Sequence, residues 1–217
     1  MKMRVPVLML VISLLFLSCG TKISDYYPLR EGLELVYQID KSDKQNVENF
    51  KARELNKVSV VPQKIEIAKG TAFRFIAVSK EGIYNYAYQA PGATEPEILA
   101  QPEYILKNPL KPGKGWEAEA SIMLLLERLP YTMSYLVESK KETVTVPAGT
   151  FENCLLIKGS GLAQKDKGAL GVIKISVSED SWYAPGVGLV KSVRKESGNH
   201  VLVGSSEKII QLLSYKK

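Results

Sequence analysis

The feature that most constrains this chain is a two-residue alternation of apolar and polar side chains. Across residues 172–183, Ile173, Ile175 and Val177 fall in one phase, and Lys174, Ser176 and Ser178 in the other. Successive side chains of a strand point to opposite faces, so this pattern makes a strand with one buried and one wetted face. The signal recurs. Strands are expected over residues 33–39, 64–68, 72–79 and 83–89, the last three joined by the turns Lys69-Gly70-Thr71 and Lys80-Glu81-Gly82 into a meander. Residues 40–49 are polar and read as a loop. Residues 90–97, with Pro91, Gly92 and Pro96, read as an excursion between two halves. After Tyr104-Ile105-Leu106, further strands are expected over 131–139, 142–146, 153–158, 172–183, 189–195 and 207–215. Residues 116–129 join the helix-favouring Glu117-Ala118-Glu119-Ala120 to the apolar run Ile122-Met123-Leu124-Leu125-Leu126. A strand buried on both faces is the expectation there, and a helix over 117–128 the alternative. About ten strands at spacings near ten residues predict an all-β fold, a mostly antiparallel sheet forming a sandwich, a barrel or a half-barrel.

The first residues have a different character. Lys2 and Arg4 precede the uncharged run Val7-Leu8-Met9-Leu10-Val11-Ile12, which leads into Leu14-Leu15-Phe16-Leu17. That run is short for a membrane span and matches the apolar region of a signal peptide. Phe16-Leu17-Ser18-Cys19-Gly20 resembles a bacterial lipobox, with Phe16 where Leu is usual. Such a segment is cut between its small residue, here Ser18, and the Cys, here Cys19, after the thiol has been alkylated by a diacylglyceryl group. The rivals are an uncleaved anchor and a plain secreted protein cut near Ser18. The expected organisation is a lipoprotein signal peptide over 1–18, a short lipidated tether over 19–27, and a single β-rich domain over 28–217. Two or three acyl chains give stable membrane anchoring. Gly20 is not the Asp that retains lipoproteins at the inner membrane of enteric bacteria, which points to the outer membrane in a two-membrane cell.

Composition narrows the chemistry. With 45% hydrophobic and 24% charged residues, the chain is neither disordered nor a disulfide-rich miniprotein. Removing residues 1–18 lowers the net charge of +6 by the charges of Lys2 and Arg4, and the remaining bases are scattered rather than gathered in a stripe. Nucleic acid is therefore not an expected partner. There are one His and two Cys. Once Cys19 carries lipid, Cys154 is alone, within the apolar run Cys154-Leu155-Leu156-Ile157, and reads as a buried inert thiol. His200 follows Ser197-Gly198-Asn199 and reads as a turn residue. Gly186-Val187-Gly188 lacks the third Gly of a dinucleotide loop, residues 40–46 lack the ligands of a calcium loop, and Gly204-Ser205-Ser206 is no nucleophile elbow. No catalytic residue, metal site or cofactor is expected.

Two longer features remain. Tyr27-Pro28-Leu29-Arg30-Glu31-Gly32 echoes Asn108-Pro109-Leu110-Lys111-Pro112-Gly113, each ahead of a strand with an aromatic, Tyr37 or Trp116. The echo is either chance or the mark of equivalent corners in two halves of a sheet. Near the C-terminus stand Val144-Thr145-Val146-Pro147-Ala148-Gly149-Thr150-Phe151-Glu152-Asn153-Cys154 and Trp182-Tyr183-Ala184-Pro185-Gly186-Val187-Gly188-Leu189-Val190-Lys191. Both read as hairpin corners. Gly149 and Gly186 would adopt positive φ, and Gly188 would permit a bulge. Together the blocks resemble those of uncharacterised bacterial envelope lipoproteins of the TapB-like family. That family's Pro-Leu-x-x-Gly-x-x-Trp segment is approximated by residues 109–116. The resemblance implies a β-rich fold related to the half-barrels of lipoprotein carriers, and no established activity.

One pattern points to binding. Tyr84, Tyr86 and Tyr88 occupy alternate positions and would share one strand face. Rings with polar tips suit the lining of a wetted groove better than a core, where three hydroxyls would need partners. The expected function is that of a lipid-anchored, non-catalytic envelope lipoprotein, binding an acyl chain or a peptide segment on a curved sheet. The alternative is a structural or assembly component acting only through protein–protein contacts.

Overall fold

The computed structural model describes residues 22–68, 70–124, 126–168, 171–201 and 203–216. The alternation becomes thirteen strands: β1 (Glu34–Ile39), β2 (Asp43–Asn49), β3 (Arg53–Leu55), β4 (Val58–Ile67), β5 (Gly70–Ser79), β6 (Gly82–Gln89), β7 (Glu97–Lys107), β8 (Gly115–Leu124), β9 (Glu127–Val146), β10 (Gly149–Asp166), β11 (Val172–Ala184), β12 (Gly188–Gly198) and β13 (Ser205–Lys216). Strand makes up 73% of the described residues and helix 3%, which bears out the all-β reading. The strands form one antiparallel sheet in the order β7-β6-β5-β4-β2-β1-β13-β12-β11-β10-β9-β8, with β3 added beside β4. Most neighbours in the sheet are neighbours in sequence. The exceptions are β2, which pairs with β4 past the short β3, and β13, which returns to pair with β1 and joins the two halves. The sheet curls until it is nearly closed into a barrel. β7 and β8 stand at the two ends of the strand order. Their edges carry Pro102, Glu103 and Lys107 on one side and Glu117 and Glu119 on the other, residues that discourage pairing with a foreign strand.

Three expectations change. Residues 40–49 are not a loop: Asp40 turns at φ 52 and β2 pairs with β1 along its length. Its polar residues are tolerated because only Val47 and Asn49 are buried. Residues 117–124 and 127–128 are strand, but not strand buried on both faces. The chain reverses near Leu126 (φ 83), leaving Met123 60% and Leu126 98% exposed while Leu124 is 2% exposed. Met123, Leu124 and Leu126 thus lie at a hairpin tip, and β9 runs unbroken through Val146. Third, residues 23–27 are part of the domain. They form the one-turn helix α1 (Ile23–Tyr26), in which Tyr26 is 1% exposed and packs with Leu106, Trp116, Leu155 and Tyr183. Ser18, Cys19 and the rest of residues 1–21 lie outside the described residues.

The late corners have the expected geometry. Gly149 sits at φ 132 and Gly186 at φ 73, and Gly188 at φ 106 accompanies a bulge between Trp182 and Tyr183. The echoed segments are equivalent corners. Gly32 donates its N–H to the Asn49 carbonyl as Gly113 does to that of Val137. Leu33 donates to Arg30 as Lys114 does to Lys111, and Asn49 returns a bond to Leu33 as Val137 does to Lys114. Both glycines have positive φ, 75 and 81. Each segment therefore opens a hairpin, β1–β2 or β8–β9, and Leu35 and Trp116 occupy matching buried positions.

Candidate functional site

A cavity is formed between the first half of the sheet, β1, β2 and β4 to β7, and the returning strands β11 to β13. It has a volume of about 370 Å³. Its walls are largely aliphatic: Leu35 and Val47 from the first hairpin, Ile65 and Ala72 from β4 and β5, Ile210 from β13, and Val187 from the β11–β12 corner. Tyr27, Tyr37, Tyr88 and Tyr183 contribute rings. Tyr37 donates its hydroxyl to the Leu189 carbonyl (3.0 Å). Burial pushes the Tyr37 and Tyr183 phenols well above their ordinary range, so both stay protonated.

A polar row crosses this apolar surface. Asn49, Gln63, Arg74 and Tyr88 stand directly opposite one another on β2, β4, β5 and β6. Directly opposed residues share a face. Arg74 Nη2 (2.8 Å) and the Tyr27 hydroxyl (3.2 Å) both donate to Gln63 Oε1. Gln63 Nε2 donates to Asn49 Oδ1 (2.9 Å), and Asn49 Nδ2 to the Pro28 carbonyl (3.2 Å). Asn49 and Gln63 are buried and satisfied. Arg74 Nε is buried without a partner. Among the described residues no carboxylate forms an ion pair with Arg74.

The interior holds a second arginine with different surroundings. Arg194 on β12 donates from Nε to Glu196 (2.9 Å), from Nη1 to Glu179 (3.3 Å) and from Nη2 to the Tyr131 hydroxyl (2.8 Å). Burial alone would lower the Arg194 pKa, but its bonds to Glu196 and Tyr131 hold it above its ordinary value. Nearby, burial, followed by the charge of Glu179, pushes the Tyr135 phenol up to about 12. This site is internally neutralised; the one at Arg74 is not.

The expected tyrosine row is divided. Tyr84 pairs with Ala77 and Tyr88 with Arg74, three residues apart on the regular strand β5 and hence on opposite faces. The cause is a bulge: between Asn85 and Ala87, β6 carries one residue more than its partner. Tyr84 and Tyr86 pack on the far face against Val60, Phe75, Ala77 and Ala87, where Tyr84 meets the Tyr104 ring at 5.5 Å. Tyr88 lines the cavity. Gln63 and Arg74 are not among the residues that the sequence patterns single out. The signal for them is a polar residue in an apolar phase, Gln63 with Ile65 and Arg74 with Ala72 and Ile76. Cys154 is fully buried, as its apolar run suggested.

Residues 137–207, from within β9 to the start of β13, match the model of a family described as DUF3108-like. The fold is similar to the crystal structure of a protein from Bacteroides fragilis NCTC 9343 assigned as exported, with a YmcC-like fold. That chain is 18% identical with a TM-score of 0.50, the match covering 88% of this chain and 98% of that one. A protein from Parabacteroides distasonis ATCC 8503 assigned as a lipoprotein is matched at 20% identity and a TM-score of 0.46, over 88% and 98% of the two chains. No curated protein matches.

Proposed function

We propose that this chain is a non-catalytic lipoprotein of the cell envelope, held by lipid on Cys19, that accommodates an acyl chain in the cavity of its curled sheet. The observation that carries the reading is the cavity. A recess of about 370 Å³, partly open to solvent, is walled mainly by aliphatic side chains and tyrosine rings. Small-ligand sites run from about 300 to 1,000 Å³, so the space suits one chain rather than a diacyl lipid. A peptide segment is the less favoured ligand, because the wall is largely aliphatic and offers few of the polar groups that an extended backbone requires. The anchor supports the reading. Tyr27 and Pro28 reach the cavity wall only a few residues after Cys19, which would hold the cavity close to the bilayer. The TapB-like resemblance and the exported assignment of the structural relative accord with an envelope location, and Gly20 with the outer membrane of a two-membrane cell. The assembly-only alternative rests on the free edges of β7 and β8, whose proline and charges resist strand addition.

The test uses the chain from Gly20 onward, which contains every strand, titrated with the neutral fluorophore N-phenyl-1-naphthylamine. Saturable binding is expected. Ala72 is 3% exposed and borders the open space. Ala72→Phe should therefore place its ring in the cavity and weaken the probe about tenfold or more, with less destabilisation than the roughly 1–3 kcal/mol of ordinary overpacking. Absence of saturable binding by the wild type would overturn the proposal.

A further inference from the structure

We propose that Arg74 is an anion-recognition residue, and that the cavity selects a single-chain amphiphile with a carboxylate head over a neutral one. The inference rests on the cavity being a binding site and adds the chemistry of the head group. Four observations carry it. Arg74 lies in a polar row within apolar walls, and the tail of an amphiphile would lie against Ile65, Ala72 and Val47 while its head met the row. The hydrogen bonds made by the Arg74, Gln63 and Asn49 side chains run away from Arg74 to the Pro28 carbonyl, so the charged end of the row meets the cavity as a donor. Gln63 Oε1 takes only one guanidinium N–H and is shared with Tyr27. Finally, Nε is buried with no acceptor and no carboxylate pairs with the side chain.

An unpaired cation against apolar walls is costly unless an anion or water completes it. The other interior arginine shows what completion looks like: Arg194 is bonded to two carboxylates and a phenol. At Arg74 the chain provides a neutral amide to Nη2 and no acceptor to Nε. A guanidinium fork matches a carboxylate with two parallel hydrogen bonds. Tyr88, opposite Arg74 and facing the same space, provides a ring beside the head.

The experiment displaces N-phenyl-1-naphthylamine from the chain starting at Gly20, using dodecanoate and, separately, methyl dodecanoate. The two share a tail and differ in charge. Dodecanoate is expected to displace the probe about tenfold more effectively, or better. Arg74→Met should still bind the probe, which reports that the cavity is formed, and should lose that preference. Arg74→Lys, which keeps the charge, should retain part of it. Equal displacement by acid and ester in the wild type, or an unchanged preference in Arg74→Met, would overturn the assignment while leaving the cavity reading intact. Failure of the probe to bind at all would sink the cavity reading and this inference with it.

Discussion

The thiol of Cys154 has no exposed surface and points at the Phe151 carbonyl over 3.5 Å. Burial, with a further push from Glu142, raises its pKa to about 11 from an ordinary 9.0. The direction fixes the pH dependence. The folded state disfavours the thiolate, so this contribution to stability is complete below about pH 9 and is lost as pH rises through about 11. Two measurements follow from one residue. Labelling of native protein by Ellman's reagent at pH 8 should be slower by orders of magnitude than labelling in denaturant. The alkaline loss of melting temperature between pH 9 and 11 should shrink in Cys154→Ala. Rapid labelling of the native chain at pH 8 would show the site to be open. Tyr88 makes the complementary point. Its place at the cavity comes from the bulge one residue before Ala87, which no property of Tyr88 itself would reveal.

Elements repeat where residues alone only hint at it. The β1–β2 and β8–β9 hairpins open through the same three backbone hydrogen bonds, though their segments share little beyond Pro-Leu, a base and a Gly. At both Gly32 and Gly113 an added Cβ would meet nothing within 4 Å, so a substitution there is opposed by backbone strain rather than by a clash. Gly32→Ala and Gly113→Ala should therefore destabilise by similar amounts, about 1–2 kcal/mol each, in chemical denaturation. A large difference between them would separate the two corners. The shared geometry also accounts for Trp116, the counterpart of Leu35. It fills the second hairpin's inner position and stacks on Tyr135 at 5.3 Å, as Leu35 stands opposite Val47.

At the scale of the whole molecule, the helix α1 decides how the domain would meet a membrane. The proposed acylated Cys19 lies three residues before Lys22, and three residues reach about 10 Å at full extension. Beyond that point the chain is packed: Tyr26 is buried, and the Asp25 carbonyl receives the Gly186 N–H at 2.6 Å. Lipidation would thus hold the α1 side of the barrel against the bilayer rather than leave the domain on a loose leash. Cells fed radiolabelled palmitate should label the wild-type chain and not Cys19→Ala, which should also persist as an uncleaved precursor. A wild-type chain that takes up no label, or whose mature N-terminus lies elsewhere, would remove the anchor.

Read alone, the sequence locates most of the strands, most of their turns and the glycines at the corners, because alternation and turn chemistry are local: a side chain's phase depends on its immediate neighbours along the chain, whereas the polar strand β2 carries too little alternation to be seen. It also carried the polar character of Gln63 and Arg74, but not its meaning, because both phases of β5 are rich in apolar residues, Phe73, Phe75 and Ala77 in one and Ala72 and Ile76 in the other. Which phase faces inward was decided by the partners on either side, β4 and β6, and by the extra residue in β6 that shifts the register. The return of β13 to β1, which joins the halves into one curled sheet, pairs residues as far apart as Glu34 and Lys216. The cavity draws its wall from both halves that this closure joins, Ile65 and Ala72 from one and Ile210 and Val187 from the other. Register and closure are relations between distant segments, and the free energy that selects them comes from burying many side chains at once, so only the tertiary structure could decide them.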